Sequence, residues 1–583
     1  MELSKTGIIS IVDRRYQQAI ITTKSGEKIQ IEGYDKIGKC FHGDNGTIDP
    51  SGKLIVTKSN ISQKVIVGIL KYYDRSKFPA NKRGIDRYKF VPLQPNYPNF
   101  LVSSKNKSKY NTNVIATIKY SHWNDTLPQG NLLEIIGEVN NYKTLYEGVL
   151  WKHQLITKYY KLNSKQKHLI KNFNVTGSGY TDLTHEYTLS IDPEGCRDID
   201  DAFSWEAFDN PDHIILKIHI SDVIGTINEL GLNPMLNNLT TSVYAPHRNH
   251  NMFQNILSQG ILSLLPDKRR LAVTLRLEII DNRIIDSKLV KTIIINKKAF
   301  SYDEFEKRHF YNKKSPINPI VNTIKNLQYQ GLENKFNKYF DSHTLIEKLM
   351  IIYNCEVVKI LHQGGLKPIY RVHALNNNNT NNLDNVPRDL EKFLSIIRNK
   401  AAKYTFDSSD TTHAALNINN YTHFTSPIRR YVDCYNHRLV HNLLDNNNIV
   451  IPISLEKINN FNSRVKKMER DISKVAISQY IEEFQEHNFS GYIYSLDENR
   501  MVDFYIPSRK LNLHFRIHHE KLDELLDYKI IENVIIMSHR DSKQIVELPM
   551  NQTTNLEIFV CPQKDNPYRD LTFRLGILND LTD

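Results

Sequence analysis

From Ile191 to Phe203 the chain reads I-D-P-E-G-C-R-D-I-D-D-A-F, which places Asp192, Asp198, Asp200 and Asp201 within ten residues. Two like unit charges about 4 Å apart repel by roughly 4 kcal/mol near a protein surface. Crowded carboxylates therefore either splay into water or enclose a cation. The remainder of the chain is basic: 76 Lys and Arg against 64 Asp and Glu give a net charge of +12 and a pI near 9.1. A metal-binding run on a chain that attracts polyanions points to chemistry on phosphate. Taken alone, D-I-D-D is more often a solvated turn. The D-x5-D-x-D-D pattern lacks the central Gly and terminal Glu of a calcium-binding EF-hand loop, and it lies in an apolar setting, after L-S-I and before A-F.

Two distant segments could complete a phosphodiester-cleaving site. Y-T-H-F-T-S-P-I-R-R-Y at 421–431 joins a Ser-Pro turn to paired arginines, and a guanidinium fork suits bidentate phosphate contact. A helix start with two surface arginines would read the same way. K-K-M-E-R-D at 466–471 places acids among bases in a long helical stretch, where a surface ion pair of small energetic value is the plain reading.

These residues need positioning elements. Up to about residue 150 the chain reads as short strands (GIISIVD, QAIITTK, KVIVGILKYY, KFVPLQP, NVIATIKYSHW) between Gly, Asn, Pro and Lys turns. Such spacing predicts two small barrels or sandwiches, divided near 59–64. The basic, aromatic-rich stretch 71–89 suits a single-strand-binding barrel, or an ordinary barrel with a solvated basic rim. From Leu183 to about Leu443 strands and helices mix. HIILKIHISDV alternates like a half-buried strand. SHTLIEKLMIIYNCEVVKILHQGG predicts a helix with Ser342 as N-cap and a Gly pair at its end, and LEKINNF through FQEH predicts a second long helix. The Asn-rich tracts at 376–382 and 445–448 are expected to be surface loops. After about His487 short strands return and predict one more barrel.

At 583 residues the chain exceeds one hydrophobic core of about 250–300 residues. No apolar run approaches the ~20 residues of a spanning helix, and the N-terminus lacks a signal peptide's apolar stretch. Five scattered cysteines with no C-x-x-C pair suggest a reducing, cytoplasmic compartment and no zinc ribbon.

Taken in order, the motifs resemble the ribonuclease II/ribonuclease R group, the RNB-domain 3′→5′ exoribonucleases. The version I-D-P-x-G-C-x-D-I-D-D-A is most similar to that of the exosome hydrolytic catalytic subunit and its relatives. K-I-H-I-S-D-V (217–223), T-S-V-Y-A-P (241–246), L-S-Q-G-I-L-S-L-L-P (257–266), Y-R-V-H (370–373) and H-F-T-S-P-I-R-R-Y (423–431) resemble further family segments, as F-H-G-D (41–44) and the stretch 123–130 resemble its cold-shock barrels. The resemblance implies a multidomain α+β fold. Cold-shock-like β-barrels (OB-folds) would occupy 1–60 and 61–155, a central mixed α/β RNB catalytic domain 170–487, and a C-terminal OB-fold RNA-binding barrel 488–583.

It further implies a Mg²⁺-dependent hydrolytic enzyme that processively degrades single-stranded RNA to nucleoside 5′-monophosphates. Two ions are expected, with Mn²⁺ as a substitute; no DNA substrate or membrane is expected, and the chain should be a monomer. Carried over by position, Asp192, Asp198, Asp200 and Asp201 would hold the metal, with Asp200 most critical to the chemical step. Arg429 would neutralise charge on the scissile phosphate. Tyr244 would stack on the terminal nucleotides, Tyr302 would seat the strand end, and Arg430 and Glu469 would contact RNA. The chain departs from the family at His247, where a Gly is usual, at Leu262 for a Cys, and at Tyr180 for an Arg. The alternative is a catalytically silent RNA-binding or scaffolding protein that retains the fold; decayed relatives would be expected to lose aspartates.

Overall fold

The computed structural model describes residues 6–575 apart from short stretches, the longest being 374–386, 394–401, 517–525, 540–544 and 562–569. The Asn-rich tract 376–382 lies outside the described residues. The chain divides into two compact units, one comprising 1–156, 245–247 and 464–583, the other 157–244 and 248–463. The class is multidomain α+β, as the motifs implied.

In the first unit, an antiparallel sheet runs in the order Lys28–Glu32, Gln18–Thr23, Thr6–Ile11, Asn45–Ile48, Leu54–Lys58. A closed five-stranded barrel follows, built from Val65–Leu70, Arg87–Pro92, Phe100–Ser103, Val114–His122 and Gln129–Glu138. One apolar cluster joins the two, with Phe41 stacked on Phe100 and packed against Trp123. F-H-G-D is thus a structural turn: the buried Asp44 accepts the Phe41 N–H at 2.8 Å and the Ser59 hydroxyl at 2.5 Å. The C-terminal strands form a five-stranded sheet and a separate three-stranded one. His247 stacks on Tyr146 and bonds Glu147 at 2.7 Å, which gives this departure from the family pattern a packing role. Among acids in the long Leu455–Phe484 helix, Asp471 is paired with both Lys152 and His153.

The second unit is built on a sheet in the order Thr181–Asp182, Arg283–Ser301, Thr188–Asp192, Asp201–Ala207, His213–Ser221, Arg269–Ile280. Arg283–Ser301 also pairs with Arg269–Ile280, so the five long strands close a cycle of pairings. The Ser342–Gln363 helix covers the apolar core with Leu345, Leu349, Ile352 and Tyr353. Its N-cap is Asp341, not Ser342: the Asp341 carboxylate accepts the Thr344 N–H at 2.8 Å, and the Thr344 hydroxyl returns to the Asp341 N–H. Ser342, the first helical residue, instead donates its N–H and its hydroxyl to Glu306, at 3.2 and 2.7 Å. Among the described residues no helix is long and apolar enough to cross a membrane, and the four described cysteines are free.

The strand His213–Ser221 corrects the expectation of a half-buried strand. Every residue from Ile214 to Ser221 is buried. The polar positions of its alternation face partners inside the protein, not solvent. Lys217 pairs with Glu186 and Glu206. The fully buried His219 bonds Ser204 at 2.9 Å and Thr274 at 2.8 Å.

Burial, helped by the Lys217 charge, lowers His219 to about 3, and burial lowers His437 to about 4. Both are therefore neutral in the fold down to strongly acidic pH. Above about 6.5 neither state binds a proton there; below it the unfolded chain takes up protons that the fold excludes, at about 2 kcal/mol per histidine by pH 5. His219→Gln, which can bond both Ser204 and Thr274, should therefore remove about 2 kcal/mol from the stability lost between pH 7 and pH 5. Urea unfolding at the two pH values measures it; an unchanged loss would contradict the assignment.

Candidate active site

The four aspartates are delivered by a strand–loop–strand. Asp192 ends Thr188–Asp192 and Asp201 begins Asp201–Ala207, paired antiparallel through Leu189 and Phe203. The connecting loop turns at Gly195, whose φ of +75° suits a residue without Cβ. Its far end is clamped by backbone. The Ile199 N–H bonds the Ser263 hydroxyl at 2.9 Å, the Leu264 N–H bonds Ile199 O at 3.0 Å, and the Ser221 N–H bonds Asp200 O at 2.9 Å.

The S-P-I-R-R-Y segment is a turn leading into the Tyr431–Asp445 helix. Asp433 holds the turn, accepting the Ser426 N–H at 2.8 Å and Arg430 Nη2 at 2.7 Å. This aims the Ile428 N–H at Asp200 Oδ1, 3.0 Å away, and Arg429 Nε at Asp200 Oδ2, 3.2 Å away. Arg429 Nη2 also bonds the Ser426 hydroxyl at 3.0 Å, yet the side chain stays 47% exposed. Residues 240–242 run beside 429–431, with Ser242 N–H to Arg429 O at 2.9 Å and Tyr431 N–H to Thr240 O at 2.8 Å. That bridge brings Tyr244 against Arg429. Parallel pairing of Asp192 with Ser301 sets the following Tyr302 beside the acids, its ring stacked on His343 at 3.7 Å.

Asp192, Asp198, Asp200, Asp201, Tyr244, Tyr302, Arg429 and Arg430 all line one cavity of about 710 Å³, within the size range of ligand pockets. Glu469 belongs to the first unit and lies on an exposed face of the Leu455–Phe484 helix. Sequence reasoning missed Asn354, which lines the cavity and ties two walls together. Its amide bonds Tyr421 OH at 3.1 Å, and its oxygen accepts the Phe424 N–H at 2.8 Å. The available signal was a polar residue inside the otherwise apolar I-I-Y-N-C run. Gln259 and Asn249 on the rim were also missed.

Electrostatically the acidic wall is short of positive charge. Burial pushes Asp192 up to about 6, with Asp198 adding repulsion against the lowering influence of Ser190 and Arg429. Asp200 is pushed by burial to about 7 although Arg429 and the Ile428 N–H pull it down. Burial, then repulsion from Asp192 and Asp200, holds Asp201 well above the carboxylate range. Asp192 Oδ2 is buried and has no hydrogen-bond partner among the described residues. Among the described residues no three oxygens of the run gather within 4.8 Å of one another, whereas ligand atoms of Glu306, Asp341 and His343 do. There Asp341 caps a helix and Glu306 accepts from Ser342, so hydrogen bonding accounts for that group.

A buried ring of contacts braces this framework. Asp222, fully buried, accepts from Gly225 N–H at 2.8 Å, Tyr180 OH at 2.7 Å and His441 Nε2 at 2.9 Å. Burial opposes its charge, but His441 and these donors hold it well below the carboxylate range. Tyr180, which departs from the family pattern, thus fastens the domain's entry segment to the strand that fixes Asp200.

The RNB domain family matches residues 180–331 and 315–446. Ribonuclease R of Mycoplasma genitalium is 26% identical over 391 residues, 54% of this chain and 53% of that protein, so the chain spans about half the length of this relative. The structure of M. genitalium RNase R in complex with ribose-methylated single-stranded RNA superposes with a TM-score of 0.72 at 18% identity, covering 98% of this chain and 100% of that one. Yeast Ssd1, described as a pseudonuclease, matches with a TM-score of 0.65 at 12% identity over 98% of this chain and 96% of that one. The matched residues, 180–446, hold the aspartate run, the paired arginines and the cavity between them, so it is this part of the chain that matches the RNB domain family.

Proposed function

We propose that this protein is a divalent-metal-dependent, hydrolytic 3′→5′ exoribonuclease that degrades single-stranded RNA to nucleoside 5′-monophosphates. The observation that carries this reading is the convergence of four buried or half-buried aspartates and a half-exposed Arg429 on one cavity. The donor set is all carboxylate, which suits a hard cation such as Mg²⁺, and the buried Asp192 Oδ2, without a hydrogen-bond partner among the described residues, leaves an oxygen for it. Asp192, Asp198, Asp200 and Asp201 would hold the metal, which when bound activates water and stabilises the departing 3′ oxygen.

The chain's own groups supply the rest. Arg429 offers its exposed guanidinium edge to the phosphate where negative charge builds, an interaction strongest in the transition state. Asp200 fixes that guanidinium while the Ile428 N–H fixes Asp200. Tyr244 and Tyr302 flank the acids and are placed to stack on the terminal nucleotides, and Arg430, anchored by Asp433, adds a cation for an adjacent phosphate.

One observation favours a second reading, a silent RNA-binding protein: the same architecture occurs in Ssd1, and a fold does not specify an activity. The intact acidic run with Arg429 favours the enzyme. With 5′-labelled single-stranded RNA and Mg²⁺, products should shorten stepwise from the 3′ end, stop on adding EDTA, and vanish when the 3′ end is blocked. RNA binding with no nucleotide release under Mg²⁺ or Mn²⁺ would favour the silent reading.

A further inference from the structure

Between residues 148 and 181 the chain contains six lysines and neither Asp nor Glu. The described part of this stretch in the second unit is a surface of unusual composition. Tyr159 and Tyr160 are 39% and 40% exposed side by side, and Lys161, Lys165, Lys167 and Lys171 are all exposed. None of these four lysines forms a salt bridge among the described residues. A solvated helix face normally mixes both signs of charge; this one carries only positive charge, next to exposed rings.

The surface is held rigidly. The Ser164–Lys171 helix begins with a reciprocal cap, Asn163 to the Gln166 N–H at 2.8 Å and the Gln166 side chain to the Asn163 N–H at 3.0 Å. Leu162 and Ile170 are buried in the cluster that holds Val223, Ile227 and Leu257. The Tyr160 carbonyl accepts the Gln254 amide at 2.5 Å. The surface is also tied to the 248–259 segment, which carries two cavity-lining residues. Gln254 precedes the Leu257–Ile261 turn that carries the rim residue Gln259, and the Arg248 guanidinium acts on the Tyr159 hydroxyl while its neighbour Asn249 lines the rim.

We infer that Tyr159, Tyr160 and the lysines at 161, 165, 167 and 171 form an accessory single-stranded RNA site outside the cavity, where the lysines follow backbone phosphates and the two rings stack on bases. Exposed aromatics interleaved with unpaired cations are the combination that binds a single strand without sequence preference. The inference rests on the exoribonuclease reading for its choice of polyanion, and it places the upstream part of an RNA whose 3′ end occupies the cavity.

The test uses the full-length protein in EDTA, with fluorescently labelled RNA of about 20 nucleotides, long enough to leave the cavity, and of about 4 nucleotides. Releasing counterions from a single strand gives a slope of log K on log salt near −0.7 per phosphate neutralised. Changing Lys161, Lys165, Lys167 and Lys171 together to Gln should therefore flatten the slope for the long RNA by about 2 to 3 and weaken binding roughly 10- to 100-fold at moderate salt. The short RNA should be unaffected, the fourfold Lys→Arg variant should keep the wild-type slope, and Tyr159→Ala with Tyr160→Ala should weaken only the long RNA. An unchanged slope, an equal loss for the short RNA, or loss in the Lys→Arg variant would overturn the inference. So would binding to vesicles containing anionic lipid that depends on these lysines while the RNA slope does not. Because binding is read without turnover, a protein that binds long RNA here but never shortens it sinks only the enzyme reading. One that shortens RNA with an unchanged slope sinks only this inference.

Discussion

Asp200→Asn is expected to slow RNA shortening by at least about 10³-fold, roughly 4 kcal/mol of lost transition-state stabilisation, while RNA affinity changes little. The substitution separates charge from shape. An asparagine oxygen can still accept the Ile428 N–H, so the turn that presents the paired arginines should persist. What disappears is the carboxylate charge 3.2 Å from Arg429 Nε and one carboxylate of the proposed metal-holding set. The proposed RNA contacts, Tyr244, Tyr302 and Arg430, sit on other elements of the cavity, which is why affinity should survive. Single-turnover rates beside equilibrium binding in EDTA check both halves. A variant within about tenfold of wild type would contradict the assignment of Asp200.

Arg429→Lys should cost about 10²- to 10³-fold in kcat, with a much smaller change in KM. The guanidinium has three tasks: Nε pairs with Asp200, Nη2 bonds Ser426 at 3.0 Å, and the exposed edge faces the cavity. A lysine has a single ammonium and cannot hold both anchors while offering hydrogen bonds to a phosphate. If lysine supported near-normal kcat, Arg429 would serve as a general cation, and its proposed place at the reacting phosphate would be lost.

Much of this site was legible in the sequence for identifiable reasons. The aspartate spacing, D-x5-D-x-D-D, is long enough to leave one strand, turn at a glycine and enter the next, so the run had to gather at one sheet end. The Ser-Pro turn ahead of two arginines could aim only one guanidinium at the acids, because the second is taken by Asp433 three residues on. Pairings distant in sequence were not legible. Nothing in I-I-Y-N-C shows that Asn354 bridges Tyr421 and Phe424. The alternation in HIILKIHIS resembles a solvent-facing strand because sequence does not reveal that Lys217 and His219 find internal partners at Glu186, Ser204 and Thr274. Glu469 was read from its motif alone. Its motif matched by position, and the helix presents it on an exposed face of the first unit.

The central claim is that solvent water attacks the terminal phosphodiester and the 3′ oxygen of the preceding nucleotide departs. The most direct measurement is mass spectrometry of the mononucleotides released from unlabelled single-stranded RNA in ¹⁸O-enriched water with Mg²⁺. The expected products are nucleoside 5′-monophosphates carrying one solvent oxygen on the phosphate. Release of 3′-phosphates, cyclic phosphates or nucleoside diphosphates, or of no mononucleotide at all, would contradict it.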